Sequence, residues 1–273
     1  MNKKYFYLLL LPCFLFLLIF MVIPILVTTL SSFYLDGRIT LEGYRSFLTD
    51  HYFLNILFRT LRISLLTTTI CIILGFPVAY YVSKLNVKLK FIFIAAAVFP
   101  LLISPVVRSF SWMAILGREG IFNTLLKKIG IINEPIQFLY TELAIVIGLV
   151  HLFLPLMIIA LIGVMENIDY DLVKAAQSLG ASRFTSFIKI VFPLSVPGLV
   201  VGSVLVFVGS LTAYTTPQLL GGSRRVMSTL LYQQSLTLNN WYTASIIATI
   251  MIVATFIIIG IMNKIAQKLN PKG

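Results

Sequence analysis

Long apolar runs alternate with shorter polar intervals along this chain. The runs cover about 6–32, 60–82, 91–113, 142–165, 197–216 and 242–263. Each is near the roughly 20 residues that a helix needs to cross a hydrocarbon core. Lipid offers the backbone no hydrogen-bond partners, so such runs predict helices. The expected fold is all-α: a polytopic membrane protein with six transmembrane helices in a single domain over 1–273. The intervals are 33–59, 83–90, 114–141, 166–196 and 217–241.

The most polar stretch runs from Asp169 to Pro197. Leu172, Ala175, Ala176 and Leu179 recur at helical spacing, and so do Phe184, Phe187, Ile188 and Val191. Gly180 between the two sets suits a left-handed helix end. Ser182 or Thr185 suits the start of the next helix. Pro193 and Pro197 are expected to close the polar part and lead into the fifth span. The prediction is a helix–Gly–helix hairpin on a membrane surface, with one face resting on its own spans and the other free for a partner.

The outer intervals carry shorter patterns. Residues 33–59 read as a turn followed by an amphipathic surface helix. In 114–141, Gly117 and Gly120 mark a turn before a short helix through Leu125, Leu126 and Ile129. Both read as interfacial covers over the helix ends.

Composition agrees with the pattern. Hydrophobic residues make up 59% of the 273, charged residues 11%, and the mean hydropathy is +1.00. No room remains for a soluble catalytic domain. The net charge of +12 reads as topology and attraction to anionic lipid headgroups, not as nucleic-acid binding. Cys13 and Cys71 both lie in apolar runs, so neither a disulfide framework nor a zinc site is expected. The run after Lys3 and Lys4 is too long for a signal peptide and reads as a retained helix.

An even number of spans puts both termini on one side. Lys3, Lys4, Lys84, Lys88, Lys90, Lys174, Lys189, Lys264, Lys268 and Lys272 fall on that side; Lys127 and Lys128 fall on the other. Arginines are less decisive. The lysine bias makes the termini and the 166–196 loop cytoplasmic.

No enzyme site stands out. Gly221-Gly222-Ser223 lacks the lysine of a phosphate-binding loop. His51 and His151 are far apart, and no cluster has metal-ligand spacing. His151, within the fourth span, reads as a packed histidine bonded to a neighbouring helix. Charges in the spans are few, which makes them informative. Arg59 and Arg62 read as snorkelling to the outer headgroups. Arg108 and Trp112 share a helix face and are expected to stack. A structural pair and the wall of a substrate path are both open for them. In the fifth span Gly202, Gly209, Ala213 and Thr216 allow close helix approach. Ser210, Thr212, Tyr214, Thr215 and Thr216 then crowd before Pro217. Interrupted helix with hydroxyls is tolerated at membrane depth beside protein or water. The candidate path residues are therefore Arg108, Trp112, Thr212, Tyr214, Thr215, Thr216 and Pro217.

The polar hairpin resembles the cytoplasmic EAA loop of the membrane subunits of type I ABC importers. That pattern is Glu-Ala-Ala, three residues, Gly, nine residues, Ile-x-Leu-Pro. Here Lys174-Ala175-Ala176, Gly180, Ile190, Phe192 and Pro193 keep every spacing, with Lys174 in place of the acid and Phe192 in place of leucine. VRSFSWMAILGREGIFNTLL (107–126) and SLTAYTTPQLLGG (210–222) look like stretches of spermidine/putrescine-type permeases. The resemblance implies a type I permease fold in a bacterial cell membrane. It also implies a second, similar permease subunit, two ATPase subunits and an extracytoplasmic binding protein. ATP and Mg would be bound by the partner ATPase and no cofactor by this chain. Coupling to the ATPase would fall to Asp171, Leu172, Lys174, Ala175, Ala176, Leu179, Gly180, Ala181, Arg183, Ile190 and Pro193. The implied cargo is a polyamine, with a phosphonate, sulfate or thiosulfate, or ferric iron as alternatives in the same class. An ATP-independent carrier or channel is the rival class. Such a carrier needs no ATPase dock and commonly uses intramembrane acids for ion coupling, and this chain's spans carry almost none.

Overall fold

The structure, a computed structural model, describes residues 11–35 and 37–269. The start of the first expected span, with Lys3 and Lys4, and Lys272 lie outside the described residues. Among those described, helices dominate. Long apolar helices are α1 (Leu11–Ser31), α3 (His51–Val82), α7 (Glu142–Met165), α9 (Arg183–Thr212) and α12 (Trp241–Leu269). The third expected span is a bent pair, α4 (Val87–Leu102) and α5 (Pro105–Leu116). Shorter helices are α2 (Glu42–Thr49), α6 (Ile121–Lys128), α8 (Asp171–Ser178), α10 (Thr215–Leu220) and α11 (Met227–Tyr232). One small hairpin joins β1 (Tyr34–Leu35) to β2 (Arg38–Ile39), antiparallel, with Tyr34 opposite Ile39.

Four of the expected spans have different bounds in the structure. The second helix starts at His51, not near 60, because Asp50 accepts the Tyr52 N–H at 2.8 Å and starts the helix in the polar interval. The third span is not continuous over 91–113. The chain turns by 93° between Val87–Leu102 and the stretch from Pro105, since a proline disfavours helical ψ in the residue before it. Ser104 has ψ 133°, and Pro105 opens α5. The fifth span begins at Arg183 and stops at Thr212, not over 197–216. The sixth continues to Leu269.

Pro193, expected to close the polar part, is accommodated within a helix, and Pro24 is accommodated within the first span. A wide π turn precedes Pro24 (Leu18–Val22) and another precedes Pro193 (Phe187–Val191). In each, the next N–H reaches back five residues: Ile23 to the Leu18 carbonyl and Phe192 to the Phe187 carbonyl. The wider turn relieves the clash of a proline ring with the preceding turn of helix.

The contacts divide the chain into two units: residues up to Asn55 with Leu230–Ala254, and Ile56–Thr229 with the residues from Thr255. In the first, Phe47 is buried and stacks on Phe53 at 5.0 Å. Gly43 lets Tyr242 and Ile246 lie directly on α2; a Cβ there would stand 2.5 Å from the Tyr242 hydroxyl. In the second, α9 packs along α7. A Cβ at Gly198 would lie 3.0 Å from the Ala160 carbonyl, and one at Gly202 would lie 2.6 Å from Met157 Sδ. Met157, Leu161, Met165, Val191 and Val206 are buried in this core.

Candidate functional site

The polar hairpin is α8 and the first turns of α9. Helix α8 ends in a Schellman motif: the Gly180 N–H donates to the Gln177 carbonyl and the Ala181 N–H to the Ala176 carbonyl, both at 3.0 Å. Gly180 has φ 92°, a region other L residues enter at a cost. Ser182 then caps α9 by accepting the Thr185 N–H at 3.1 Å.

The hairpin's two faces sort as the free-face reading expects, though not by the predicted residues throughout. Val173, Phe187 and Val191 face the core. The Phe187 ring meets Tyr80 edge-on at 5.2 Å and Phe76 at 5.8 Å. Leu172, Leu179, Phe184 and Ile188 are exposed, Leu179 by 89% and Phe184 by 75%. The apolar set at 184–191 is thus split between core and surface. The π turn shifts the helical register inside that set. Pro193 does not close the polar part; it lies in the first turn of regular helix after the π turn.

Lys174 donates to Asp171 Oδ1 at 2.8 Å. That hydrogen bond, then the charge behind it, holds the Asp171 carboxyl below its usual range and raises the Lys174 ammonium. Both are fully exposed, so the pair adds little stability. Ala175, Ala181, Arg183 and Ile190 complete the segment, with Arg183 exposed and Ile190 half-buried.

Two ties hold the base of the hairpin. Lys90 pairs with Glu166 at 2.8 Å, joining α4 to the end of α7. Lys84 lies 3.7 Å over the Tyr80 ring and 4.8 Å from that of Tyr170, the residue before α8. Sequence reading missed these pairings. Lysines just outside the span boundaries, near aromatics, were the available signal.

The expected path residues gather around two helix interruptions. Short helix α10 follows the break at Ala213–Tyr214 and packs against α5, beyond the 93° bend, and against α7. The expected Arg108–Trp112 stack does not form. Arg108 is buried and turns back across the bend to donate to the Pro100 carbonyl at 2.8 Å. That carbonyl is among those the end of α4 leaves without a helical partner. Trp112 donates its indole N–H to His151 Nδ1 at 3.0 Å, with the rings edge-on at 5.6 Å. His151 is therefore the packed, bonded histidine that the sequence suggested. Thr216 and Pro217 are buried against the protein: a Cβ at Gly148 of α7 would lie 2.6 Å from Thr216 Cγ2. Tyr214 and Thr215 are half-buried, and Thr212 is exposed with its hydroxyl bonded to the Val208 carbonyl.

The segment after α10 is fixed by side chains. Ser228 donates to the Ala213 carbonyl at 2.6 Å, and Thr60 accepts the Met227 N–H at 2.9 Å. Arg59 donates to Glu142 at 3.1 Å and to the Arg225 carbonyl at 3.1 Å; Arg62 also pairs with Glu142. Arg59 and Arg62 are thus ion-paired to α7, where snorkelling alone was expected.

The family model of the binding-protein-dependent transport system inner membrane component matches residues 2–270. The chain belongs to this family. It is an all-α polytopic membrane permease of the ABC importer class, a transport subunit and not an enzyme. The permease is 31% identical over 264 residues to the spermidine/putrescine transport system permease protein PotB of Haemophilus influenzae, covering 94% of this chain and 92% of that one. It is 31% identical over 203 residues to PotB of Escherichia coli K12, covering 74% of each. A crystal structure of the bacterial alginate ABC transporter, in complex with an alginate pentasaccharide-bound periplasmic protein, has a chain similar at TM-score 0.78. The identity is 19%, with coverage of 100% of this chain and 97% of that one.

The permease also holds its 117–136 loop by a residue that sequence reading passed over. Buried Asn123 donates to the carbonyls of Gly117 and Ile136 and accepts the Ile136 N–H, at 2.9 to 3.0 Å. An asparagine at the inward position of an otherwise amphipathic turn was the signal.

Proposed function

We propose that this permease carries a polyamine across a bacterial cell membrane as one single-domain subunit of an ATP-driven importer. The observation that carries the substrate is the similarity to spermidine/putrescine permeases over nearly the whole of both chains. A second permease subunit, two ATPases binding ATP and Mg, and an extracytoplasmic binding protein complete the assembly. Lysine placement supports cytoplasmic termini and a cytoplasmic 166–196 loop.

The hairpin is the ATPase dock. Leu172, Leu179 and Phe184 are large apolar side chains held in water by a rigid Schellman turn. Burying one such side chain stabilises an interface by about 1.5–3 kcal/mol. Asp171, Lys174, Ala175, Ala176, Gly180, Ala181 and Arg183 frame that face. Ile190 and Pro193 carry it into α9. ATP-driven closure of the ATPases moves α8, and the movement passes to α3 through Lys84 and Tyr170, to α4 through Glu166 and Lys90, and along α9. The path end is the pair of interruptions, where Arg108, Trp112, Thr212, Tyr214, Thr215, Thr216 and Pro217 gather. Reorienting those short helices gives alternating access.

Uptake of labelled spermidine and putrescine in cells lacking this subunit, restored with the wild-type chain, tests the reading. Competition by unlabelled polyamines, and none by phosphonates, sulfate or ferric iron, is expected. Restored uptake of an oxyanion in place of polyamine would replace the substrate.

A further inference from the structure

Beside α2, against the start of α12, lies a cavity of about 300 Å³ that the transport reading does not use. It is lined by Glu42 and Ser46 of α2, by Phe47 and Phe53, and by Tyr242 and Thr243 at the start of α12. Among the described residues Glu42 makes no ion pair. Arg45 shares the neighbouring depression with Glu42 but does not bond to it. Ser46 Oγ is likewise uncommitted among the side-chain hydrogen bonds described. The Tyr242 ring lies against α2 because Gly43 has no side chain, and its hydroxyl is buried over that glycine. A lone carboxylate beside a hydroxyl and aromatic rings matches a primary ammonium group. The carboxylate supplies charge, the hydroxyl an acceptor, and the rings a π surface.

We infer that this cavity is an ammonium site on the extracytoplasmic rim, with Glu42 as its counter-charge and the rings of Tyr242 and Phe53 as its walls. One amine end of a polyamine rests there on its way to the spans. The ligand's identity rests on the polyamine reading above; the ammonium chemistry rests on the cavity.

The test uses the importer assembled with its partner subunits, without the binding protein, in lipid nanodiscs. Binding of n-butylamine and putrescine is followed by saturation-transfer NMR, with n-butanol and 1,4-butanediol as neutral controls. Both amines are expected to bind and both alcohols to fail. Glu42→Gln is expected to weaken amine binding about tenfold or more, the scale of a lost charge-assisted hydrogen bond. Tyr242→Leu should weaken it about threefold, the scale of an exposed cation–π contact. Tyr242→Phe, which keeps the ring, should bind like wild type. Undiminished binding by Glu42→Gln, or alcohols binding as well as amines, overturns the site. Wild-type uptake separates the two readings. If polyamine is not imported yet butylamine binding still needs Glu42, the site stands and the substrate reading falls. If polyamine is imported and amine binding ignores Glu42, the reverse holds.

Discussion

Trp112 and His151 join the bent third span to the fourth by one hydrogen bond of 3.0 Å from indole Nε1 to imidazole Nδ1. The bond fixes the neutral imidazole with its proton on Nε2. Removing either partner strands the other in a half-buried site, at a cost of about 1–3 kcal/mol. Trp112→Phe and His151→Leu are each expected to lower the thermal midpoint of the detergent-solubilised subunit. The double variant should fall short of their sum in a double-mutant cycle. Strict additivity would show that the bond is not formed.

Gly180 takes φ 92°, and a Cβ there meets nothing within 4 Å. The cost of substitution is therefore conformational, about 1–2 kcal/mol for an L residue. Gly180→Val is expected to leave the spans folded while misaligning Leu179 and Phe184. ATPase activity of the assembled importer should persist while uptake falls by about tenfold or more, the effect of roughly 1.4 kcal/mol. Normal uptake by that variant, once assembled, would remove the hairpin from the coupling role.

The Asp171–Lys174 pair makes a signed statement about pH. The Asp171 carboxyl is depressed, so its contribution is present above its unfolded value and lost as pH falls through the lower folded one. The Lys174 ammonium is raised, so its contribution is present below its unfolded value and lost as pH rises through the higher folded one. The pair is intact throughout the neutral range. Lys174→Gln should move the Asp171 midpoint up toward ordinary aspartate in a carbon-13 carboxyl titration. It should leave the shape of the uptake profile between about pH 6 and 8 unchanged, because neither ordinary value lies in that window.

Glu142 receives Arg59 and Arg62 at the N-terminal end of α7, and Arg59 also holds the Arg225 carbonyl. Glu142→Gln removes the common counter-charge. These groups are partly exposed, so stability should drop by only about 1 kcal/mol or less. Limited proteolysis reads the local consequence: cleavage after Arg224 and Arg225 should become faster than in wild type. Cleavage at an unchanged rate would mean that the backbone bonds of Ser228 and Thr60 hold the segment alone.

Close packing of α9 on α7 gives a graded prediction. At Gly198 the obstacle to a Cβ is the Ala160 backbone carbonyl, whereas at Gly202 it is the flexible Met157 thioether. Gly198→Ala is expected to cost about 1–3 kcal/mol as an overpacked contact. Gly202→Ala should cost less because Met157 can change rotamer. Comparing the thermal midpoints of the two variants checks the order.

The sequence by itself determined the apolar helices, the Gly180 turn with its Ser182 cap, and the family. Each of these is local. Lipid demands a long apolar run for every crossing, a left-handed helix end demands glycine, and the loop motif sits in one continuous stretch. The 142–165 span was legible to the residue because Thr141 caps one end and polar Glu166 and Asn167 follow the other. What only the tertiary structure decided was what those elements do to one another. Pro105 bends a span, while Pro193 sits inside one because a π turn absorbs it; the two prolines look alike in sequence. Arg108 and Trp112 share a helix face, yet each pairs elsewhere, with the Pro100 carbonyl and with His151. The helix–Gly–helix stretch read as polar and amphipathic from the start. In the structure its exposed face carries Leu172, Leu179 and Phe184, and its base is tied by Lys84 and Lys90 across more than seventy residues of chain. Pairings of that reach are set by three-dimensional packing, which no spacing along the sequence encodes.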